Sequence, residues 1–548
     1  MERKILKNKT YLYLTEFFAG MSVMAVELGA SRLLAPYFSS SQIVWTIIIG
    51  TIMIAMALGN LYGGRSADKD PNPDKLYARI LVAAIWIAAI PVVGKYIVIA
   101  VAGLVIFTVN SNYLVIAGFI TCMIVFVFPL FLLGTVTPSL VKYSVDSLDE
   151  SGSTVGRLGA FNTIGSIIGT FVPTFISIPA VGTSISFLIF AGILLVLAVI
   201  YFMSTKLPMG KIKKVPVSIA LFLICCILGH DASFAFWQND LTYEGESIYN
   251  YLQVYESPNE VVLSTNVLFG VQSVYRKDGS LTGMYYDYAM AAPLMSEVTD
   301  LSDMKDKKML ILGMGSGTYA TQCRRYFGDM YIEGVEIDGK ITELAEEYFE
   351  LPDDIQVTTY DGRAYLNAIT DKYDVIMVDA YQDITIPFQM SSVEFFSLVK
   401  SHLNPGGVMV VNMNMRGSTE GSINDYLSDT IASVFSEVYT ADVIGSTNRE
   451  LFASDDSDML VHLSDNTDKL VATDLSAAEE ADTPETNAEA LHDMMLKVSS
   501  GLVKYTPGNR ILTDDKAPVE LLGMRVIDEI IRDELNGIDS IDDVMNMM

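Results

Sequence analysis

Histidine and cysteine are scarce in this sequence, with four of each among 548 residues. Cys122, Cys225 and Cys226 lie in apolar runs, and Cys323 follows a glycine-rich loop. The sequence has no CxxC pair and no cluster of histidine and cysteine, the usual signatures of zinc sites and disulfide frameworks. We therefore predict neither a disulfide framework nor a bound metal.

Basic residues are scarce after residue 214, where 20 lysines and arginines stand against 56 aspartates and glutamates. Residues 1–214 have the opposite balance, with 16 basic and 9 acidic side chains. A segment as acidic as the second one repels phosphate backbones, so we expect no nucleic-acid partner. An acidic surface suits a cationic substrate, although such surfaces more often serve solubility alone.

Long apolar runs are concentrated in residues 1–236, and the mean hydropathy of the whole chain is +0.36. A membrane-spanning helix needs roughly 20 mostly apolar residues. Lysine and arginine precede the first candidate segment and occupy the loops after the second, fourth and sixth, which predicts a cytoplasmic N-terminus. We expect a multi-pass region of about seven helices in the cell membrane. The side of the following domain stays open because the seventh segment is short. The seven segments are residues 11–37, 42–62, 76–107, 113–135, 158–179, 183–203 and 215–236.

Residues 237–300 predict a small module of short strands and turns, and residues 301–548 predict a different architecture. From Lys308 onward, short apolar runs alternate with helical stretches, which is typical of a doubly wound, Rossmann-like α/β fold. A polar, acidic segment near residues 464–490 lacks apolar periodicity, so we expect a flexible insertion there.

The candidate site residues follow the predicted strands of this α/β region. Gly313, Gly315 and Gly317 follow its first strand, and glycines there let the backbone approach a ligand at a helix N-terminus. Acids end the next three strands, where ligands bind in such folds. A nucleoside-cofactor site is therefore predicted, with an NAD site as the other Rossmann option. These acids are Glu336, Asp361 (followed by Gly362) and Asp379.

Several stretches resemble the spermidine synthase (polyamine aminopropyltransferase) family, in particular members with an N-terminal multi-span region. They include SIYNYLQVYE, GVQSVYR, LTGMYYDYAMAAPL, GVEID, MVDAYQDITIPFQMSSVEFF and LTDDKAPVELL, between residues 247 and 522. The resemblance implies that Asp379 is the catalytic acid that orients and deprotonates the attacking amine, and that Asp383 belongs to a gate over the site. It also implies which residues contact each part of the substrates. Asn250 and Gln272 would face the cofactor tail, and Glu336 would hold the ribose. Asp361 and Gly362 would contact the adenine, while Tyr285 and Tyr286 would line the amine and aminopropyl channel.

The function implied by this resemblance is a membrane-anchored aminopropyltransferase. It would move an aminopropyl group from decarboxylated S-adenosylmethionine to putrescine or a related amine and release methylthioadenosine. Ser316 occupies the position of the glycine loop where the family usually carries an acid, so plain S-adenosylmethionine and a methyltransferase-like activity stay open. A polyamine transporter or sensor with a non-catalytic ligand-binding domain is a further alternative. The expected partners are a small amine and the lipid bilayer, and homo-oligomerisation is left open.

Overall fold

The computed structural model describes most of the chain and divides it into two compact units. One unit comprises residues 1–239 and 244–251, and the other comprises residues 240–243 and 252–548. The described residues are 8–38, 41–109, 111–144, 151–204, 214–230, 233–234, 238, 240–266, 271–381, 386–414, 417, 419–472 and 484–536.

The first unit is built from apolar α-helices. Five described helical stretches are long and apolar enough to cross a membrane by length and composition: Lys9–Phe38, Gln42–Lys69, Pro73–Ile106, Val127–Ser144 and Ser151–Ser204. The individual helices are α1 (Lys9–Phe38), α2 (Gln42–Lys69), α3 (Pro73–Thr108), α4 (Tyr113–Val125), α5 (Val127–Gly134), α6 (Val136–Ser144), α7 (Ser151–Val172), α8 (Ile178–Ser204) and α9 (Lys214–Gly229), with a π-helical turn at Pro173–Ser177.

The fourth apolar segment, expected as one run over residues 113–135, is divided among three helices. The breaks fall at Phe126 and Thr135, each shortly before a proline, Pro129 and Pro138. A proline has no N–H to donate to the carbonyl four residues earlier. In the first break, the carbonyl of Val125 instead accepts a hydrogen bond from the indole of Trp86 at 2.9 Å.

Helices α1 and α7 pack with their backbones in contact, and glycines allow this approach. A Cβ atom at Gly165 would lie 2.0 Å from the carbonyl oxygen of Phe17, and one at Gly169 would lie 2.1 Å from that of Met21. Small residues at helical spacing are typical of such close crossings in membranes. The bundle also buries Glu16, whose Oε1 accepts hydrogen bonds from side chains of its neighbours on α6 and α7.

The second unit contains an eight-stranded sheet in the order β12-β10-β11-β9-β8-β5-β6-β7. Strands β9-β8-β5-β6-β7 pair in parallel, and β11, β10 and β12 extend the sheet antiparallel. The Rossmann-like prediction for this part of the chain is therefore confirmed. The strands are β5 (Lys308–Leu312), β6 (Tyr331–Glu336), β7 (Gln356–Thr359), β8 (Tyr373–Val378), β9 (Leu403–Met413), β10 (Glu437–Asp442), β11 (Arg449–Ser454) and β12 (Val503–Lys504).

Helices cover this sheet, as expected for its central strands β5, β8 and β9, which are buried along most of their length. They are α10 (Tyr285–Ala289), α11 (Ala291–Leu294), α12 (Thr318–Phe327), α13 (Gly339–Tyr348), α14 (Gly362–Ala368), α15 (Val393–Ser401), α16 (Ile423–Ala432), α17 (Met459–Ala472), α18 (Pro484–Gly501) and α19 (Val519–Asn536), with 3₁₀ turns at Leu301–Asp306 and Phe388–Met390. Four short strands precede them: β1 (Leu241–Glu246), β2 (Tyr251–Glu256), β3 (Glu260–Ser264) and β4 (Ser273–Arg276). Strands β2 to β4 pair antiparallel, and their apolar side chains pack against α13.

The structure corrects the flexible segment expected near residues 464–490. Residues 464–472 belong to α17 and residues 484–490 belong to α18, whereas residues 473–483 lie outside the described residues. Leu463, Asn466, Thr467 and Leu470 are buried at helical spacing along α17. Because two of these four are polar, the helical period was not visible as apolar periodicity. Asn466 satisfies its amide by donating to the carbonyls of two residues, Leu294 and Ser296.

Candidate active site

A cavity of about 200 Å³ lies at the carboxyl ends of β5, β6 and β8. This is where ligands bind in doubly wound folds, because the loops after parallel strands meet at one edge of the sheet. The structure brings most of the predicted site residues together here. Those in the cavity wall are Gln272, Tyr285, Tyr286, Gly313, Gly315, Glu336, Asp361, Gly362 and Asp379.

The glycine loop after β5 adopts backbone conformations that side chains rarely tolerate. Gly313, Gly315 and Gly317 have φ angles of +90°, +56° and +76°. A Cβ atom at Gly313 would lie 2.5 Å from the carbonyl oxygen of Asp379, so glycine is required there for close approach as well as for φ. Gly317 is the N-cap residue of α12 and does not line the cavity itself.

Glu336 at the end of β6 is buried and oriented by the backbone. Its Oε2 accepts a hydrogen bond from the N–H of Gly315 (2.9 Å), and its Oε1 accepts one from the N–H of Asp338 (3.0 Å). Burial raises the pKa of this carboxyl, and the two N–H groups oppose that shift. The side chain thus presents a fixed acceptor to the cavity, since each carboxylate oxygen can accept more than one hydrogen bond.

Asp361 has a structural role as well as a place in the cavity wall. Its Oδ1 accepts the N–H of Ala364 at 2.8 Å and caps the N-terminus of α14. The next residue, Gly362, would place a Cβ 3.3 Å from Cε of Met390, another wall residue. The helix cap and the cavity contact are therefore provided by the same aspartate.

Asp379 lies directly after β8, and each of its two carboxyl oxygens accepts a hydrogen bond. Tyr285 donates its hydroxyl to Oδ2 at 2.7 Å, and Asn412 donates its amide to Oδ1 at 2.8 Å. Asn448 in turn donates its amide to Oδ1 of Asn412 at 2.8 Å. Burial raises the pKa of Asp379 to about 7, although the two donors act in the opposite direction. The group can therefore exchange a proton near neutral pH.

Two further predicted residues line the cavity from the β-strand module and α10. The Tyr286 hydroxyl donates to the carbonyl of Val274 (2.6 Å) and accepts from its N–H (3.1 Å), which fixes the ring against β4. Oε1 of Gln272 is buried and has no hydrogen-bond partner within the described part of the chain. A ligand with an N–H group could satisfy it.

Asn250 and Asp383 complete the set of predicted site residues. Asn250 belongs to the first unit, where its N–H donates to Oγ of Ser247 at 2.8 Å. Asp383 lies outside the described residues, while Pro387, four residues later in the sequence, lines the cavity. Within the described ranges, no three His, Cys, Asp or Glu side chains form a group that could hold a metal ion.

The sequence interpretation missed Asn412 and Asn448, which hold Asp379 through a chain of two amides. The available signal was weak: Asn412 is a polar residue near the end of the apolar strand β9, and Asn448 precedes β11. Only the antiparallel pairing of β9 with β11 brings the two residues together.

Comparison with known proteins agrees with this geometry. The family model of the spermine/spermidine synthase domain matches residues 288–444. A probable polyamine aminopropyl transferase of Bifidobacterium longum is 54% identical over 340 residues, which are 61% of this chain and 73% of that protein. The chain belongs to the polyamine aminopropyltransferase family. The resemblance noted in the sequence is thereby confirmed, and the protein is a transferase of this family.

More distant members of the family are similar over shorter stretches. A polyamine aminopropyltransferase of Vibrio vulnificus is 28% identical over 231 residues, 41% of this chain and 74% of that protein. Among solved structures, a probable spermidine synthase from Corynebacterium glutamicum has 21% sequence identity and a TM-score of 0.36. The alignment covers 42% of this chain and 86% of that structure's chain.

Proposed function

We propose that the second unit transfers an aminopropyl group from decarboxylated S-adenosylmethionine to putrescine or a related amine and releases methylthioadenosine. The observation that carries this proposal is the half-buried Asp379, held by two donors in the wall of a cavity that also contains Glu336 and Asp361. The reaction is a displacement at a carbon attached to a sulfonium. It needs no metal because the positive sulfur is already a good leaving group.

Asp379 is the proposed base of this displacement. An alkylamine has a pKa near 10, so the attacking nitrogen must lose a proton before its lone pair can react. A carboxylate with a pKa of about 7 is matched to proton transfer near neutral pH. Tyr285 and Asn412 fix the position of the carboxylate. Because the carboxylate is already held in place, less entropy is lost when the amine is aligned with the carbon.

The remaining wall residues are proposed to hold the donor. Glu336, already oriented by two backbone N–H groups, would accept hydrogen bonds from the ribose hydroxyls. Asp361 and Gly362 would contact the adenine. The rings of Tyr285 and Tyr286 can attract a sulfonium or ammonium through cation–π contacts. Burial of Glu336, Tyr285 and Tyr286 strengthens their electrostatic contacts because water is excluded.

The first unit is proposed to anchor the enzyme in the cell membrane with a cytoplasmic N-terminus. Five long apolar helical stretches in the described part of the chain support this, and α2 carries exposed apolar side chains, including Met53, Leu58 and Leu61. Our division into an anchor (residues 1–236), a β-rich module (237–300) and a transferase domain (301–548) rests on the same interpretation. Washing membranes with alkaline carbonate should leave the chain in the pellet; its release would refute the anchor.

The enzymatic proposal is tested with the purified full chain and an amine panel, with methylthioadenosine measured by mass spectrometry. Decarboxylated S-adenosylmethionine with a diamine should give methylthioadenosine and the aminopropylated amine. The Asp379→Asn variant should lose at least about 100-fold in kcat, the usual contribution of a positioned base. Asp329→Asn is the matched control, because Asp329 is 97% exposed.

The same assay distinguishes methyl transfer from aminopropyl transfer. No acid lies in the glycine loop, where Ser316 and Thr318 hydrogen-bond each other at 2.9 Å. Plain S-adenosylmethionine is therefore run in parallel. Formation of S-adenosylhomocysteine and a methylated amine, without methylthioadenosine, would refute the aminopropyl assignment.

A further inference from the structure

Glu450, the second residue of β11, is a fully buried carboxyl that the proposed mechanism does not use. Neither of its side-chain oxygens has a hydrogen-bond partner within the described residues. Buried polar groups are nearly always hydrogen-bonded, and a buried carboxyl without a partner is costly whether or not it is ionised. Such an exception calls for a function.

The register of the sheet places Glu450 beside the catalytic carboxyl. Glu450 pairs with Asn412 across the antiparallel strands β11 and β9. Directly opposed residues of an antiparallel pair lie on the same face of the sheet. Because the side chain of Asn412 reaches Asp379 on that face, the side chain of Glu450 is on the Asp379 side as well.

Electrostatic effects indicate the same neighbourhood. Burial raises the pKa of Glu450 well above its usual range, and the charge of Asp379 raises it further. Glu450 also contributes to the raised pKa values of Tyr285 and Tyr319, two residues of the cavity wall. Cys323, on the same helix as Tyr319, also raises the pKa of Tyr319. No cation is among the groups that shift the pKa of Glu450 in the described part of the chain.

The chemistry of the substrates explains what such a group could do. Both substrates of the proposed reaction carry a primary ammonium that does not react: the end of the aminopropyl group and the second nitrogen of a diamine. Asp379 cannot serve as the counter-ion of that ammonium while it accepts the proton of the attacking nitrogen. A second carboxylate near the same wall would divide the two tasks.

Building on the proposed function, we propose that Glu450 is a specificity-determining acid, which ionises when a substrate brings a non-reacting primary ammonium into the cavity and thereby stabilises that ammonium. Glu450 is neutral before the cation arrives because burial without a counter-ion disfavours its charge. Its proton passes to the solvent on binding, so one proton is released for each ammonium bound. Asp379 remains available as the base.

The experiment compares the full-length wild type with Glu450→Gln, which keeps the size of the side chain and removes its charge. Glu450→Asp is the rescue variant, and Glu420→Gln is the matched control, since the side chain of Glu420 is 88% exposed. Affinity for methylthioadenosine, which has no ammonium, shows that each variant is folded and should be unchanged. Titration calorimetry in buffers of different ionisation enthalpy measures proton release on binding of decarboxylated S-adenosylmethionine or putrescine.

For Glu450→Gln we expect proton release on binding to fall by about one proton and the KM of the affected substrate to rise about 10-fold or more, while kcat changes less than 3-fold. Glu450→Asp should restore part of the affinity. A higher KM for the donor identifies the aminopropyl ammonium. A higher KM for putrescine, with that of n-butylamine unchanged, identifies the second nitrogen of the acceptor.

Unchanged proton release and KM values within 3-fold of the wild type for both substrates would overturn the proposal, whatever happens to kcat. Wild-type protein that forms no methylthioadenosine with any amine would refute the proposed function instead. Proton release on binding still tests Glu450 in that case, because it is measured without turnover.

Discussion

Asp379→Asn should stabilise the second unit at alkaline pH while it inactivates the enzyme. Burial raises the pKa of Asp379 from 3.8 to about 7. Between these values the folded protein holds a proton that the unfolded chain has released, so this group makes stability fall as pH rises through that range. A shift of about 3 units corresponds to about 4 kcal/mol once the pH is above 7. Asparagine carries no such penalty.

The variant should keep the local geometry. An asparagine oxygen can accept the amide of Asn412, and its NH₂ can donate to the hydroxyl of Tyr285. That hydroxyl can then turn its own proton to the carbonyl of Gln272, which lies 3.4 Å away. The stability difference between variant and wild type should therefore grow by about 2 to 3 kcal/mol between pH 5 and pH 8, the part of the penalty that titrates in this interval.

Cys323 provides the assay. Its thiol is fully buried in the second unit, whereas Trp45 and Trp86 belong to the first unit, so tryptophan fluorescence would not report on the site selectively. Thiol labelling of the full chain in increasing denaturant, with the Cys323 peptide quantified by mass spectrometry, gives the unfolding free energy at each pH. Asp329→Asn is the control. A variant-minus-wild-type difference that is equal at pH 5 and pH 8 would refute the account of Asp379 as a carboxyl destabilised by burial.

Three other substitutions test separate contacts. Tyr285→Phe removes a donor that favours the charged form of Asp379, so the acidic limb of the pH–kcat profile should move to higher pH by about 0.5 to 1 unit; an unmoved limb contradicts this. Gly313→Ala introduces a clash at φ +90°, and the Cys323 labelling assay should show a loss of at least about 2 kcal/mol. Gly165→Ala should lower the thermal stability of the first unit, because its Cβ would overlap the backbone of α1, whereas Gly159→Ala has open space and should be neutral; equal effects of the two would contradict the close-packing argument.

Much of the candidate site was predictable because its residues are local features of strand ends. The glycine loop, Glu336, Asp361 and Asp379 each lie at or just after the end of a strand, and parallel strands bring these ends to one edge of the sheet. Glu450 was not predictable in this way. It lies within an antiparallel strand, and its position beside the site depends on a pairing with β9 that no short stretch of sequence specifies.

The helical unit shows a similar division. The apolar runs correspond to helices, since composition over about 20 residues is a strong signal. The breaks at Phe126 and Thr135 depend on single prolines. A hydropathy average over about 20 residues does not reveal the effect of one proline. Helix α17 was misjudged for the opposite reason: its buried face includes Asn466 and Thr467, whose polarity suggested solvent exposure.

The amide chain from Asn448 to Asp379 connects a surface turn to the residue that we propose as the base. Asn448 belongs to the turn between β10 and β11, which also exposes Ile444 to solvent (70%). Surface turns accept sequence change more readily than cavity walls do. Under the proposed mechanism, substitutions in this turn would change the turnover rate while leaving every ligand contact intact. A screen for altered rates confined to the cavity would miss that route.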